Sequence, residues 1–250
     1  MVKTSMFRLP LALVLSAFVS TAFAAGGGNY ESADIDPGNV NSLQRGARNF
    51  MNYCSGCHSA KYVRYNTIGG DLNLSEDELI NNLMFNAEKT FETINVAMRP
   101  DEAERWFGVA PPDLTLIGRS RGADYIYSFL KGFYIDPERA TGVNNTVLAG
   151  TSMPHVLGGL QGYQRAVYEM HEEADGSQTE HMAGLELAVP GTMDEEAYDE
   201  FVRDTTNFLV YIAEPIRAER RQLGVWVLMY LLFFLIIARM LKKQIWKDVK

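Results

Sequence analysis

The stretch Cys54-Ser55-Gly56-Cys57-His58 decides the fold of this chain. Two cysteines three positions apart, followed directly by a histidine, are the attachment pattern of a c-type haem. Each thiol adds to one vinyl group of the macrocycle, and the adjacent imidazole reaches the iron from one face. We therefore predict one covalent haem c held by Cys54 and Cys57, with His58 as an axial ligand of its iron.

Other kinds of site also use closely spaced cysteines. A thioredoxin-like dithiol would open a helix in a βαβ unit, whereas the residues before Cys54 have the pattern of a helix that ends there. A zinc site needs four ligands; the motif supplies three, and the chain has no other cysteine. In an exported protein, a plain disulfide or a redox dithiol remains the alternative to haem attachment.

Both ends of the chain carry apolar segments. Residues 1–24 have the pattern of a signal peptide, in which basic residues precede an apolar run and small residues precede a cleavage point after Ala24. An uncleaved anchor is the alternative, but the run is short for one. Residues 223–241 form a longer apolar segment that is long enough to cross a membrane.

The basic residues that follow the second segment predict the topology, because lysine and arginine favour the cytoplasmic side of a membrane. We expect residues 25–222 to form one periplasmic domain and residues 223–241 to span the membrane once. Residues 242–250 would then form a cytoplasmic tail. A domain of about 200 residues can bury a substantial core.

The predicted periplasmic domain is strongly acidic. The whole chain has a formal net charge of −8; residues 1–24 and 223–250 carry +2 and +4, which leaves −14 on residues 25–222. This charge disfavours a nucleic-acid partner and favours a basic soluble protein, whose encounter it would accelerate at low salt. The alternative is that the acidity only keeps the domain soluble.

A helix is predicted to deliver the haem cysteines. Residues 41–54 place apolar side chains at helical spacing, after a capping pattern in which Asn41 caps and Gln44 reaches back. Gly46 lies inside this helix at a cost of about 1 kcal/mol relative to alanine. A close crossing with another helix would explain the glycine.

The partner for that crossing is predicted near the end of the domain. A capping pattern at Thr192 to Glu195 precedes apolar residues at helical spacing from Tyr198 to Ile212, and Pro215 interrupts the run. We expect these first and last helices to pack together and to close the domain.

The elements between them are shorter. The residue patterns predict helices at 75–85, 101–107 and 125–133. Pro111 and Pro112 predict a rigid loop, since neither can donate a backbone hydrogen bond. Residues 155–190 are acidic and glycine-rich with a turn at 175–176, which predicts a surface excursion such as a hairpin.

A second axial ligand is expected opposite His58, and a methionine thioether would raise the reduction potential. Met51 and Met84 lie on predicted helices and are assigned to packing. Met98 and Met153 each lie in a loop beside a proline, and spacing alone does not choose between them. The remaining histidines are possible ligands, but a polar loop favours surface positions for all of them: His155, His171 and His181.

These residues together resemble the cytochrome c1 family, the haem-bearing subunit of respiratory quinol:cytochrome c oxidoreductase, in its proteobacterial form. The resemblance runs from about Ile35 to the C-terminus. The resemblance rests on six short segments that occur in a fixed order along the chain. They are Leu43-Gln44-Arg45-Gly46-Ala47, the haem motif with Ser59, Ala110-Pro111-Pro112-Asp113-Leu114, Arg119-Ser120-Arg121-Gly122 before Tyr125, Thr141-Gly142-Val143-Asn144-Asn145, and Met153-Pro154-His155. The haem motif alone is common to many cytochromes, whereas the ordered combination is specific.

The resemblance assigns roles to particular residues. It implies Met153 rather than Met98 as the second iron ligand. It also implies that Arg121 and Tyr125 contact the haem propionates, where a guanidinium forms charge-assisted hydrogen bonds, and that Pro111 and Pro112 form part of the pocket wall. Mitochondrial members often have Ala-Pro-Pro after the ligand methionine, whereas Pro154 and His155 stand here.

The resemblance also implies an architecture and a function. We expect a mainly α-helical, class I cytochrome c-like haem domain with a single C-terminal transmembrane helix in a bacterial inner membrane. It would relay one electron from the Rieske iron-sulfur protein of a complex that also contains cytochrome b to a c-type cytochrome acceptor, docked on the acidic surface. No residue would perform acid-base catalysis. The alternative is a membrane-tethered monohaem cytochrome c that serves another oxidase or reductase.

Overall fold

Helices are the main regular structure of the chain, which a computed structural model describes at residues 30–96, 98–172 and 178–248. The helices there are α1 Val40–Tyr53, α2 Tyr65–Asp71, α3 Glu76–Asn82, α4 Pro100–Phe107, α5 Ile117–Ser120, α6 Ala123–Lys131, α7 Gly158–Gln161, α8 Glu195–Ala213 and α9 Arg217–Ile245. The antiparallel strand pairs are β1 Ala60–Arg64 with β2 Thr93–Ile94, β3 Phe133–Ile135 with β4 Val143–Asn145, and β5 Gly162–Glu172 with β6 Gln178–Pro190. The predicted signal peptide and the turn at 175–176 lie outside the described residues.

The first and last helices of the domain cross closely, as predicted. A Cβ atom on Gly46 of α1 would lie 2.1 Å from the backbone oxygen of Asp204 in α8 and 2.7 Å from the Cβ atom of Phe208. Only glycine therefore allows the two backbones to approach this far. Phe50 of α1 and Phe208 are fully buried, with ring centroids 5.7 Å apart.

A buried polar network reinforces this crossing. The Asp204 carboxylate is almost fully buried and accepts hydrogen bonds from the Ser42 hydroxyl and the Arg45 guanidinium. Asn207 donates to the Ser42 hydroxyl oxygen, and Asn49 donates to the hydroxyl oxygen of Thr205. Because buried polar groups are stable only with partners, these pairs fix the relative position of α1 and α8.

The predicted helix caps were wrong at both of these helices. Asn39, not Asn41, caps α1 by accepting from the Ser42 N–H, and Gln44 donates instead to the backbone oxygen of Leu72. Asp194, not Thr192, caps α8 by accepting from the Ala197 N–H.

The physical reason is that several cap-forming residues lie next to one another, and tertiary contacts select among them. Thr192 is committed elsewhere, because both its N–H and its hydroxyl donate to the backbone oxygen of Gly159.

Other predicted bounds shift by a few residues. Ser75 forms the predicted capping box with Glu78, but the helix it starts ends at Asn82, so Met84 is buried outside a helix. Met51 is buried on α1, as predicted. The helix predicted at 125–133 begins at Ala123 and ends at Lys131, and Phe133 already belongs to a strand.

The predicted excursion contains a long hairpin of β5 and β6. It is rooted on the body, because Gln164 donates to the backbone oxygens of Lys131 and Phe133. His171 and His181 are exposed on it, as expected, and their rings lie 5.5 Å apart. The prediction of a surface position for His155 was wrong: this residue is 9% exposed, because it precedes the hairpin and packs beneath its root.

The chain leaves the body through α9. Its apolar part spans Gln222–Ile245, 24 residues with a mean hydropathy of 2.2, and none of its residues is buried in the body. At 1.5 Å per residue, this part is about 36 Å long, enough to cross a hydrocarbon core of about 30 Å. The helix begins before the predicted segment at 223–241 and extends into the predicted tail.

Candidate haem-binding site

One apolar cavity of about 440 Å³ collects the residues that the haem motif and the resemblance singled out. They are Cys54, Cys57, His58, Pro111, Pro112, Arg121, Tyr125 and Met153. Met98 does not line this cavity. A pocket of this size and character is typical of cofactor sites.

The end of α1 aims both thiols at the cavity. The N–H of Cys54 still donates to the backbone oxygen of Phe50, and the N–H groups of Cys57 and His58 donate back to the backbone oxygen of Cys54. The Ser55 hydroxyl closes the turn by donating to the backbone oxygen of Met51. The motif is therefore a tight turn on the end of a helix rather than the start of one.

The two thiols are free and half-buried. Burial raises the pKa of Cys54 to about 12, and the neighbouring Cys57 adds to the effect. A redox dithiol requires a thiolate near neutral pH. The surroundings of Cys54 therefore disfavour that alternative.

The imidazole of His58 is oriented by the Pro-Pro loop. Its Nδ1–H donates to the backbone oxygen of Pro112 at 2.8 Å. Burial lowers the pKa of His58, and the Pro112 bond and the charge of Asp113 oppose only part of this effect. The ring is thus neutral with Nε2 unprotonated, which is the form that ligates a metal.

Asp113 connects this loop to the haem motif. Its carboxylate accepts from the Ser59 hydroxyl at 3.0 Å and from the N–H groups of Lys61 at 2.9 Å and Thr115 at 3.0 Å. Burial raises the pKa of Asp113, but these hydrogen bonds outweigh it and lower the pKa overall. Asp113 was predicted only as part of the segment from Ala110 to Leu114, and its role in holding this loop was not predicted.

Arg121 and Tyr125 lie together at the rim. The guanidinium carbon of Arg121 is 5.3 Å from the centroid of the Tyr125 ring, and Arg121 is exposed. Tyr125 stacks on Phe129, which also lines the cavity. A cation above an aromatic ring is held in place and remains available to an anionic group.

Three further residues that line the cavity were not predicted as part of the site. They are Thr205 and Leu209 of α8, and Leu148. For Thr205 and Leu209 the signal in the sequence was only helical periodicity, which also fits ordinary core packing.

The donor set fits a covalently attached haem. Two thiols, a neutral imidazole and a methionine line one apolar cavity, together with the exposed guanidinium of Arg121. Within the described residues, no group of three or more histidine, cysteine or acidic side chains is arranged to hold a bare metal ion.

Comparison with known proteins agrees with this geometry. The model described as the cytochrome C1 family matches residues 35–249. The chain belongs to the cytochrome c1 family. Family members bind one covalent haem c and are electron-transfer subunits of the bc1 complex, an oxidoreductase that also contains cytochrome b and a Rieske protein.

Individual relatives support the assignment over nearly the whole chain. The chain is 48% identical to cytochrome c1 of Allochromatium vinosum, covering 98% of this chain and 100% of the relative. It is 41% identical to a protein named ammonia monooxygenase gamma subunit from Nitrosomonas europaea, covering 96% and 97%. It is 27% identical to cytochrome c1 of Rhodospirillum rubrum, covering 83% and 82%. The predicted family, mainly helical fold and haem c are thereby confirmed.

Proposed function

We propose that this chain holds its haem c by Cys54 and Cys57, ligates the iron with His58 and Met153, and relays single electrons within a respiratory bc complex. The observation that supports this most is the convergence of both thiols, His58 and Met153 on one apolar cavity. The bound haem supplies one-electron redox chemistry at its iron. No residue of this chain is assigned an acid-base role.

The chain's own residues bind and orient the group. Met153 would favour the reduced iron, since thioether ligation raises the reduction potential. The apolar walls exclude water, which also favours the less charged, reduced form. The Pro112 backbone oxygen keeps His58 in the ligating tautomer, and the exposed Arg121 would pair with a propionate.

The ligand assignment is tested by replacing each candidate methionine with leucine in the full-length holoprotein. Met153→Leu should abolish the iron–methionine charge-transfer band of the ferric protein, because leucine has no donor atom. Met98→Leu is the matched control and should leave the band unchanged, because Met98 lies outside the cavity lining. The reverse pattern would contradict the assignment.

The partners proposed are cytochrome b and the Rieske iron-sulfur protein, with the Rieske protein as electron donor. Family membership and a C-terminal helix long enough to cross a membrane support this. In mild detergent, both proteins should co-purify with this chain. Their consistent absence would favour the second candidate below.

The proposed topology places residues 25–222 in the periplasm after removal of residues 1–24, with the tail at 242–250 in the cytoplasm of a bacterium. The basic residues at and just after the end of α9 support this orientation: Lys242, Lys243 and Lys247. A membrane-impermeant amine reagent applied to intact spheroplasts should label the body and spare this tail.

A second candidate function has one observation in its favour. The relative at 41% identity is named as a subunit of ammonia monooxygenase, which fits a membrane-tethered monohaem cytochrome c serving another oxidase or reductase. The family match over residues 35–249 and the relative at 48% identity favour the bc complex. Co-purification of a different oxidoreductase in place of cytochrome b would support the second candidate.

A further inference from the structure

His155 is a buried imidazole beside the segment that carries Met153, and the cavity does not use it. The residue is 9% exposed, and its neighbours Pro154 and Val156 line the cavity while His155 does not. Neither nitrogen of its ring makes a well-formed hydrogen bond with the described residues, although the backbone of Gly162 and the side chain of Gln161 lie near it. The position of this buried ring therefore depends on packing as well as on these weak polar contacts.

Two aromatic rings supply that packing. The imidazole lies parallel to the ring of Phe133, with centroids 4.8 Å apart and planes inclined by 10°. The ring of Tyr163 meets the imidazole edge-on at 5.9 Å and 89°. A Cβ atom on Gly158 would lie 3.1 Å from Cδ2 of His155 and 2.9 Å from Cζ of Tyr163, so the space around the ring is filled.

Both rings are anchored on elements outside the Met153 segment. Phe133 is 1% exposed and contacts Phe129 edge-on at 5.2 Å. Tyr163 lies at the root of the hairpin, next to Gln164, whose amide donates to the body at the backbone oxygens of Lys131 and Phe133. The imidazole is therefore gripped between the body and the hairpin root.

We propose that His155 is a positioning residue: its ring, held between Phe133 and Tyr163, keeps Met153 directed into the haem cavity. The inference rests on the proposed ligation of the iron by Met153. Only Pro154 separates the two residues, and proline fixes its φ near −65°. The chain between the gripped ring and the thioether consequently has little freedom to move.

The packing of the His155 ring sets the fraction of molecules in which Met153 is dissociated from the iron. Cyanide binds ferric haem iron where the sixth position is open, so its apparent affinity scales with the fraction of molecules in which the methionine has left. His155→Ala removes both ring contacts and should increase that fraction. We expect cyanide to bind the ferric variant roughly tenfold more tightly than the wild type, given the usual strength of aromatic pairs.

The experiment is a cyanide titration of the full-length ferric holoprotein in detergent. His155→Phe keeps a planar ring between the same partners and should bind cyanide within about twofold of the wild type. His171→Ala removes an exposed histidine from the same hairpin and should also match the wild type. If His155→Phe binds cyanide as tightly as His155→Ala, ring packing is not the cause and the inference fails.

Ligation of the iron by Met153 and its positioning by His155 are tested by different results. If Met153→Leu retains the iron–methionine band, the ligand assignment is wrong. If Met153→Leu loses the band but His155→Ala binds cyanide like the wild type, the ligand stands and the positioning role is overturned. If His155→Ala does not accumulate as holoprotein, Tyr163→Leu removes one side of the grip and should tighten cyanide binding severalfold; no change would equally overturn the inference.

Discussion

Single hydrogen bonds determine what the residues of this site can do. The backbone oxygen of Pro112 accepts a hydrogen bond from Nδ1–H of His58 and thereby leaves Nε2 as the unprotonated nitrogen. Because proline has no N–H group, neither Pro111 nor Pro112 offers a backbone donor that could replace His58. The pair of prolines at 111 and 112 therefore acts through the backbone as well as through its apolar rings.

Asp113→Asn tests how this loop is held. The variant weakens three hydrogen bonds to a carboxylate and should lower the free energy of unfolding by about 1–2 kcal/mol at neutral pH. The folded protein lowers the pKa of Asp113, so the stabilisation is present above the carboxyl's ordinary pKa and disappears as pH falls through the lowered value. Denaturant unfolding at neutral and acidic pH measures both effects.

Asp101→Asn is the control for that experiment. Asp101 forms an exposed pair with Arg99, and such pairs contribute little. The two variants should therefore differ at neutral pH and converge in acid. Equal stability of Asp113→Asn and the wild type at neutral pH would contradict a structural role for this carboxylate.

The sequence predicted the site's residues unevenly. Cys54, Cys57 and His58 were evident because their chemistry depends on adjacent positions. Met153 and Met98 lie in similar loops of the sequence. Only the folded structure shows that Met153 lines the cavity and that Met98 does not. His155 was misjudged because its burial depends on how its ring packs between Phe133, on an earlier strand, and Tyr163, which the polar composition of residues 155–190 does not reveal.

At the scale of elements, the crossing of α1 and α8 determines the shape of the cavity. Cys54 follows α1, and Thr205 and Leu209 of α8 line the same cavity. Any change in the separation of these helices consequently changes the shape of the cavity. Gly46 lies at the crossing, where the α8 backbone approaches closely.

Gly46→Ala should separate the helices. Alanine favours an isolated helix by about 1 kcal/mol, but here its Cβ atom would meet the Asp204 backbone at 2.1 Å, where no flexible side chain can yield. Overpacking of this kind costs about 1–3 kcal/mol or more, so we expect net destabilisation. Thermal unfolding of the holoprotein measures the loss.

The matched control is Gly70→Ala in α2. No atom lies within 4 Å of a Cβ atom at that position, so the helix preference of alanine should act alone and leave stability equal or slightly higher. If both variants behaved alike, the close approach at Gly46 would have no energetic consequence.

Element types were predicted better than element ends. Helical spacing identified α1 and α8, since burial of one face imposes that period on the sequence. Their caps were misplaced because Asn39 and Asn41, or Thr192 and Asp194, can each cap a helix, and only the folded structure shows which of them does.

At the scale of the whole molecule, charge and apolar surface are segregated. Residues 25–222 carry −14, whereas the apolar part of α9 is exposed along its length. We propose that the acidic body attracts a basic c-type cytochrome as electron acceptor. The rate at which this acceptor is reduced should fall several-fold between low and physiological ionic strength, because salt screens the charges. A stopped-flow rate that does not depend on salt would contradict the docking role, and the acidic residues would then serve only solubility.

The contact between α1 and α8 also has a consequence for the order of events during biosynthesis. The thiols near the start of the domain are made first, but the wall formed by Thr205 and Leu209 is made near its end. In the proposed export to the periplasm, the cysteines would cross the membrane before the α8 residues of their cavity. The attachment site would then be open to an incoming macrocycle first, and α8 would close the fold around it later.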